Sequence, residues 1–311
     1  MRINHRHSLF SLMLIYAIAA RAQSAKTADA SNLQYSTDPD SGAVSMRCGD
    51  LPCWTYVPCS KDGKPYFHPL AIPGSGAVFT SHRPPDHAWH LGLWFSWKLI
   101  NGANFWEPDT NGLTRVISQK LAREDNMAFT AETLLSYLAK GKAAVGEKRT
   151  VCVKTQRNGD YAIEWDSTFT AGDEAAVFSC TPAKKDKTGQ WASGGYAGLM
   201  IRLADSPAFA YTLKNAQGQD NVEACGEPSE KVTIIVTEQA TAAQARITFR
   251  DHPDNPRYPT PWFVRHNTGA YKGRGYYLIG PSMLFHEPYT LAPGQSARFR
   301  YTVTVERVLK V

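Results

Sequence analysis

The sequence predicts an all-β protein, a large antiparallel β-sandwich or barrel, and three observations carry that prediction. Short runs rich in β-branched and aromatic residues, among them "RTVCVKTQ", "YAIEWDSTFTAG", "YAGLMIRLA", "KVTIIVTEQ" and "QARITFRD", recur between turn signals at intervals of roughly ten residues. One further run, "SARFRYTVTVERV", alternates strictly, with Phe299, Tyr301, Val303 and Val305 on one face and Arg298, Arg300, Thr302, Thr304 and Glu306 on the other. No strand–helix–strand rhythm runs through the chain, which argues against a parallel sheet. The sandwich is the architecture carried forward.

With 311 residues and 43% hydrophobic content the chain can bury a large core. No repeat or linker divides it, so residues 33–311 read as a single domain. The amino-terminal end reads differently. Arg2 and Arg6 precede an apolar stretch from Leu9 to Ala20, and Ala20-Arg21-Ala22 fits a small-x-small cleavage site. Residues 1–22 are therefore expected to be a secretory signal peptide and 23–32 a polar lead-in, with the protein secreted or periplasmic. A bilayer span needs about 20 apolar residues. The leader falls short of that, and no later stretch reaches it, so no integral membrane segment is expected after cleavage.

Loss of Arg2, Arg6 and Arg21 lowers the formal charge from +6 to +3. The remaining bases are scattered, without the basic run and interleaved aromatics of a nucleic-acid groove, so nucleic acid is not an expected partner. All six cysteines, Cys48, Cys53, Cys59, Cys152, Cys180 and Cys225, lie beyond the leader. An oxidising compartment permits disulfides among them, although a chain of this size does not need such staples and the pairing stays open. The spacing of Cys48, Cys53 and Cys59 does not match a zinc knuckle.

The block from Tyr66 to Pro108 holds four of the eight tryptophans (Trp89, Trp94, Trp97, Trp106) and His68, His82, His87 and His90. Its centre reads "PPDHAWHLGLWFSW". As a strand, "LGLWFSW" turns Leu91, Leu93, Phe95 and Trp97 to one side and Gly92, Trp94 and Ser96 to the other. Pro84 and Pro85 cannot continue a ladder, so Asp86 to His90 is expected to be a loop or turn at the rim of a sheet. His87 and His90 fall on opposite faces of a regular strand. They could share a metal only on an irregular turn, with His68, His252 or a carboxylate as third ligand, and no cofactor is assigned.

Further along, "MAFTAETLLSYLAKG" fits a helix by length and a strand by its alternation. "TPAKKDKTGQWASGG" reads as an exposed polar loop within the domain. The block from Phe249 to Asn267 carries Pro253, Pro256, Pro259 and Pro261, which stiffen a loop holding Asp251, His252, Arg257, Trp262, Arg265 and His266. Guanidinium forks suit carboxylates. Arg257 and Arg265, with Arg83 from the first block, either recognise an acidic sugar or pair with Asp251 and Asp254.

At these blocks the chain resembles a family of secreted bacterial proteins labelled "methane oxygenase PmoA", here termed PmoA-like. The matching pieces are "YFHPL", "RPPDHAWHLGLWFSW" with "NGANFWEP", "YAGLMIRL", "DHPDNPRYPTPWFVR" and "GPSMLFHEPYTLAPGQSARFRYTVTV", in order over about the last four-fifths of the chain. Where many members have consecutive histidines, this chain has Trp89 before His90. The label does not serve as an activity, because particulate methane oxygenase subunits span membranes many times. The resemblance implies a mutarotase-like β-sandwich and a setting among exported polysaccharide-degrading systems.

These readings combine into an exported carbohydrate-active protein with a sugar-sized cleft between the two blocks. His87, His90, Asp86 and Glu107 are the candidate catalytic groups. His68, Arg83, Trp94, Asp251, His252, Arg257, Trp262 and Arg265 are the candidate substrate contacts. A carbohydrate-binding module without catalysis and a metal-dependent oxygenase are the alternatives.

Overall fold

A computed structural model describes residues 32–309 apart from 61–62, 109, 125–126 and 272–273, with the side chains of 267–274 also outside the description. The leader and nearly all of the polar lead-in lie outside the described residues. Every regular element within them is a strand, and two antiparallel sheets of eight strands each account for most of the chain. In spatial order the first sheet comprises Leu33–Thr37, Val44–Cys48, Leu51–Val57, Tyr66–Leu70, Leu93–Ser96, Gly198–Arg202, Arg274–Pro281 and Trp262–Tyr271. The second comprises Phe209–Asn215, Lys231–Glu238, Gln244–Asp251, Ser296–Arg307, Tyr161–Ala171, Lys142–Thr155, Ala128–Ala139 and Gly112–Arg123.

The alternation in the sequence sets the inner face of the second sheet. Phe299, Tyr301, Val303 and Val305 are buried as predicted, opposite Ser167, Trp165, Ile163 and Tyr161 in the neighbouring strand. The ambiguous stretch after Met127 is a strand, Ala128–Ala139. Its period of two buries Phe129, Ala131, Thr133, Leu135 and Tyr137, and Lys140 and Gly141 close it onto the next strand as a two-residue turn with φ of 50° and 84°. A helical period would have spread these side chains around an axis with no partner for half of them.

The sheets meet through aromatic side chains. Trp54 and Tyr56 of the first sheet lie 5.7 and 5.4 Å from Phe129 of the second, and Phe95 lies 5.2 Å from Phe169. Trp262 stands edge-on to Phe249 at 5.3 Å. Face-to-face packing of two sheets decides between the two predicted architectures in favour of the sandwich.

The core holds a charged pair. Glu147 and Arg149 point inward from one strand and are completely buried. Glu147 accepts from Arg149 Nε and Nη2 at 2.7 and 2.8 Å, from Tyr137 Oη at 2.7 Å and from Ser167 Oγ at 2.6 Å. The guanidinium also lies 4.7 Å from the Trp165 ring centroid. Full satisfaction of the carboxylate is what makes such a pair tolerable in an apolar interior.

None of the six cysteines is joined in a disulfide. A bulge between Met46 and Arg47 sets Cys53 between their partners Trp54 and Pro52, while Cys48 pairs with Leu51. Burial pushes the Cys53 thiol up to about 12, which leaves it unreactive near neutral pH.

Removing one member of the buried pair leaves an uncompensated charge. Arg149→Met is expected to cost about 3–5 kcal/mol, and the double variant Glu147→Leu/Arg149→Met is expected to recover most of that loss. Urea unfolding of the three proteins measures both values.

Candidate functional site

The outer face of the first sheet, turned away from the partner sheet, carries the site. Trp94, Met200, Arg202, Tyr276, Phe263 and Arg265 occupy this face on four adjacent strands, as the strand register requires. Long connections fold over it. One is the proline-led segment after His82, held by a bridge between His82 and Leu91 and by hydrogen bonds from His87 N to Pro84 O, from His90 N to His87 O and from Arg83 N to His90 O. These tight turns replace the extended backbone that would have sent the two imidazoles apart. His87 and His90 instead stack, with centroids 4.7 Å apart and planes 18° from parallel. At Gly92, with φ of 85°, a Cβ would lie 2.3 Å from the Phe67 carbonyl oxygen, so only glycine lets the segment enter the sheet there.

Asp86 organises the charges. Its Oδ2 accepts from His87 Nδ1 at 2.8 Å and from Arg202 Nη2 at 2.7 Å. Partial burial pushes its pKa up, but the hydrogen bond from His87 and the Arg202 charge outweigh that and hold it below the usual carboxylate range. With Nδ1 donating to a carboxylate, the basic nitrogen of His87 is Nε2. Arg202 is itself buried, its guanidinium 4.1 Å from the Tyr276 ring centroid.

His90 has a different character. It is wholly buried among His87, Trp94, Trp106 and Tyr276. Burial, with Arg202, His87 and Lys64 adding positive charge nearby, holds its pKa well below that of an ordinary histidine. The ring is neutral near pH 7, and neither of its nitrogens has a hydrogen-bond partner among the described residues. The neutral ring can offer or accept a hydrogen bond, and burial disfavours the charge it would gain on taking up a proton.

Glu107 stands in the same wall. Lys98 Nζ and Asn104 Nδ2 donate to its Oε2 at 2.5 and 2.6 Å. Burial raises its pKa, yet these two donors and the Lys98 charge prevail and keep the carboxyl ionised.

Together these residues border a cavity of about 490 Å³, within the size range of small-molecule sites. His87, Trp89, His90, Trp106 and Glu107 come from the first block, and Phe263 and Arg265 from the second. Thr181, Tyr276, Tyr196 and the Ala192–Gly194 stretch complete the lining. The sequence blocks thus converge through the strand that begins at Trp262, and the proline-rich loop before that strand takes no part in the lining.

That loop has a structural task. Asp251 is buried, accepting from Thr260 N at 2.8 Å and Asn255 Nδ2 at 2.7 Å. His252 Nδ1 accepts from Asp254 N at 3.1 Å. Arg257 donates to the carbonyls of Met283, Glu287 and Pro288, tying two loops together. Trp262 faces the inter-sheet core and donates to Ser229 O at 2.7 Å, because side chains alternate along the strand and Phe263 takes the cavity side. Within the first block, Arg83 donates to Ala88 O at 3.1 Å and clamps its own turn. Trp94 lies beneath His90 without lining the cavity. His68 bonds to the Thr80 hydroxyl at 3.0 Å and stacks on His82 at 5.1 Å, also off the lining. The substrate contacts expected of these residues therefore have no place at this cavity.

Sequence reasoning missed Tyr196, Tyr276, Arg202 and the hairpin of Lys184–Lys185 with Trp191–Ser193, which had read as a plain loop. Its signal was the Gly194-Gly195 pair. A Cβ at Gly194 would meet the Pro182 carbonyl oxygen at 2.1 Å, and one at Gly195 the Phe285 ring at 2.7 Å. Among the described residues no group of three or more His, Cys, Asp or Glu side chains is placed to hold a metal ion. Among the described residues no helix is long and apolar enough to cross a membrane.

Two predictions follow from this packing. Gly194→Ala, at φ of 69° and against backbone, is expected to destabilise the hairpin. The measured signs are a lower melting temperature and faster proteolysis within 184–195. His68, His90 and His266 are all shifted down mainly by burial, His68 to about 4. Each binds a proton more readily unfolded than folded, so its contribution is present above about pH 6.5 and declines as pH falls below that, for His68 down to about 4. For His68 the loss is roughly 3 kcal/mol, and thermal melts of His68→Gln are expected to show a flatter pH dependence over that window.

No curated protein matches the chain in sequence. Solved structures similar to it include the GalM/aldose epimerase homologue from C. elegans, 10% identical over 89% of this chain and 100% of that one, with a TM-score of 0.32. A proposed mutarotase, YeaD, from Salmonella typhimurium is 8% identical over 89% and 95%, with a TM-score of 0.38. A TPR-domain containing protein from Parabacteroides distasonis is 12% identical over 86% of this chain and 48% of that one, with a TM-score of 0.29. Residues 43–308 match the model of a family of unknown function, DUF6807, and the chain belongs to that family.

Proposed function

We propose that this is an exported carbohydrate-active enzyme that acts on a glycan or modified sugar by histidine–carboxylate acid–base chemistry. The observation that carries the reading is the Asp86–His87 hydrogen bond of 2.8 Å at the wall of an aromatic-lined cavity that also presents the ionised Glu107. Asp86 fixes the imidazole and stabilises the charge it gains on taking a proton, so His87 Nε2 is the group that moves protons. Glu107 serves as a fixed negative charge and hydrogen-bond acceptor opposite developing positive charge. Trp89, Trp106, Tyr196, Phe263 and Tyr276 offer the flat apolar surfaces against which sugar rings pack. Hydrolysis, elimination and epimerisation all use a proton moved in this way.

Export belongs to the same reading, on the leader pattern of residues 1–22. So does the finer kinship to PmoA-like proteins, on the motifs of the two blocks. A carbohydrate-binding module is the second reading, favoured by the aromatic lining itself. The metal-dependent oxygenase finds no donor cluster among the described residues to support it.

A screen of the purified protein against a glycan panel, with His87→Ala and Asp86→Asn alongside, decides between enzyme and module. Turnover by the unaltered protein is expected to fall about 10²- to 10⁴-fold in either variant. Equal turnover by all three proteins removes the catalytic assignment. Undiminished binding with no turnover by any of them selects the module.

A further inference from the structure

We infer that Arg265 forms an anion subsite, and that the sugar recognised in this cavity carries an oxyanion substituent, the carboxylate of a uronate or a sulfate ester. The inference rests on the proposed function and deepens it.

The two fully buried arginines each have a carboxylate beside them, Arg149 with Glu147 and Arg202 with Asp86, although each also keeps guanidinium nitrogens without a hydrogen-bond partner. Arg265 lines the cavity and pairs with no carboxylate among the described residues. Its Nη1 donates to the Trp191 carbonyl and lies 3.8 Å from the Cys225 sulfur, while Nη2 is buried with no hydrogen-bond partner. The guanidinium carbon stands 5.2 Å from the Phe263 ring centroid, so an aromatic face replaces water on one side. A desolvated charge with an idle donor is costly unless something completes it. An oxyanion bound in the cavity does so with a charge-assisted hydrogen bond.

The nearby carboxylate does not take this role. Glu107 is already engaged by Lys98 and Asn104. The rim adds to the case, because the hairpin whose Trp191 carbonyl holds Arg265 carries the exposed Lys184, Lys185 and Lys187 against Asp186. Lys185 Nζ sits 4.7 Å from the Trp191 ring centroid. Such a field draws anionic ligands towards the mouth. A second idle donor, the buried Nε1 of Trp89, lines the same cavity and suits a hydroxyl or oxyanion oxygen.

Calorimetric titration of the protein with methyl glycosides and short oligomers of glucuronate and galacturonate, of a 6-O-sulfated hexose and of the parent neutral hexoses tests the assignment. The charged ligands are expected to bind at least tenfold tighter than the neutral ones. Arg265→Gln is expected to weaken charged-ligand binding tenfold to about a hundredfold while leaving neutral-sugar affinity in place. Arg265→Lys, which keeps the charge, is expected to retain part of the preference and covers the case in which the glutamine variant does not fold. The ranking of uronate against sulfate ester identifies the substituent. Equal affinity for neutral and charged sugars, or charged-ligand affinity unmoved by Arg265→Gln, overturns the anion subsite and leaves the carbohydrate reading standing. Failure of every sugar to bind overturns both.

Discussion

The strand Leu93–Ser96 has no exposed face, and much of the molecule is arranged to cover it. Phe95 on one side meets Phe169 of the second sheet, while Trp94 on the other lies under His90 and Trp106. Gly198–Arg202 beside it is likewise buried throughout. A sandwich needs only one buried face per sheet. The second covering, made from the connections after His82, after Trp97 and around the Trp191 hairpin, turns the outer side of the sheet into the floor of a cavity. Burial of the floor therefore comes before the chemistry: it holds His90 neutral, dries the Arg202 guanidinium and fixes the turn that carries His87.

The charges above that floor are graded by what surrounds them. Asp86 shares one oxygen between an imidazole and a guanidinium, Glu107 is held by an ammonium and an amide, and Arg265 leans on an aromatic ring and a carbonyl. The Glu147–Arg149 pair in the inter-sheet core shows the opposite condition. It uses the carboxylate's acceptor capacity on protein donors and lies in the core between the sheets. Arg149 has a protein carboxylate beside it and Arg265 has none.

The sheet architecture was legible because period-two alternation is a local property: the Phe299 to Val305 face could be read without knowing its partners. So was the density of the 84–97 segment, since Pro84 and Pro85 exclude a ladder and leave Asp86 and His87 on a turn. The two imidazoles were harder. Strand geometry would have separated them, and only the closing hydrogen bonds from His87 and His90 to carbonyls three residues back stack them. Asp251, His252 and Arg257 misled because a polar, proline-stiffened loop has the same composition whether it braces a fold or binds a ligand. Side-chain parity then decided the strand that follows, sending Trp262 inward and Phe263 and Arg265 outward. Tyr196, Arg202 and Tyr276 sit in ordinary strand-like sequence, and only the register of four strands brings them to one place.

The stacked pair of rings has a consequence of its own. At 4.7 Å, a positive charge on His87 opposes a second one on His90, which already lies within reach of Arg202 and Lys64. A charge on the outer ring makes a second on the inner one costlier, so the stack favours one hydrogen ion over two.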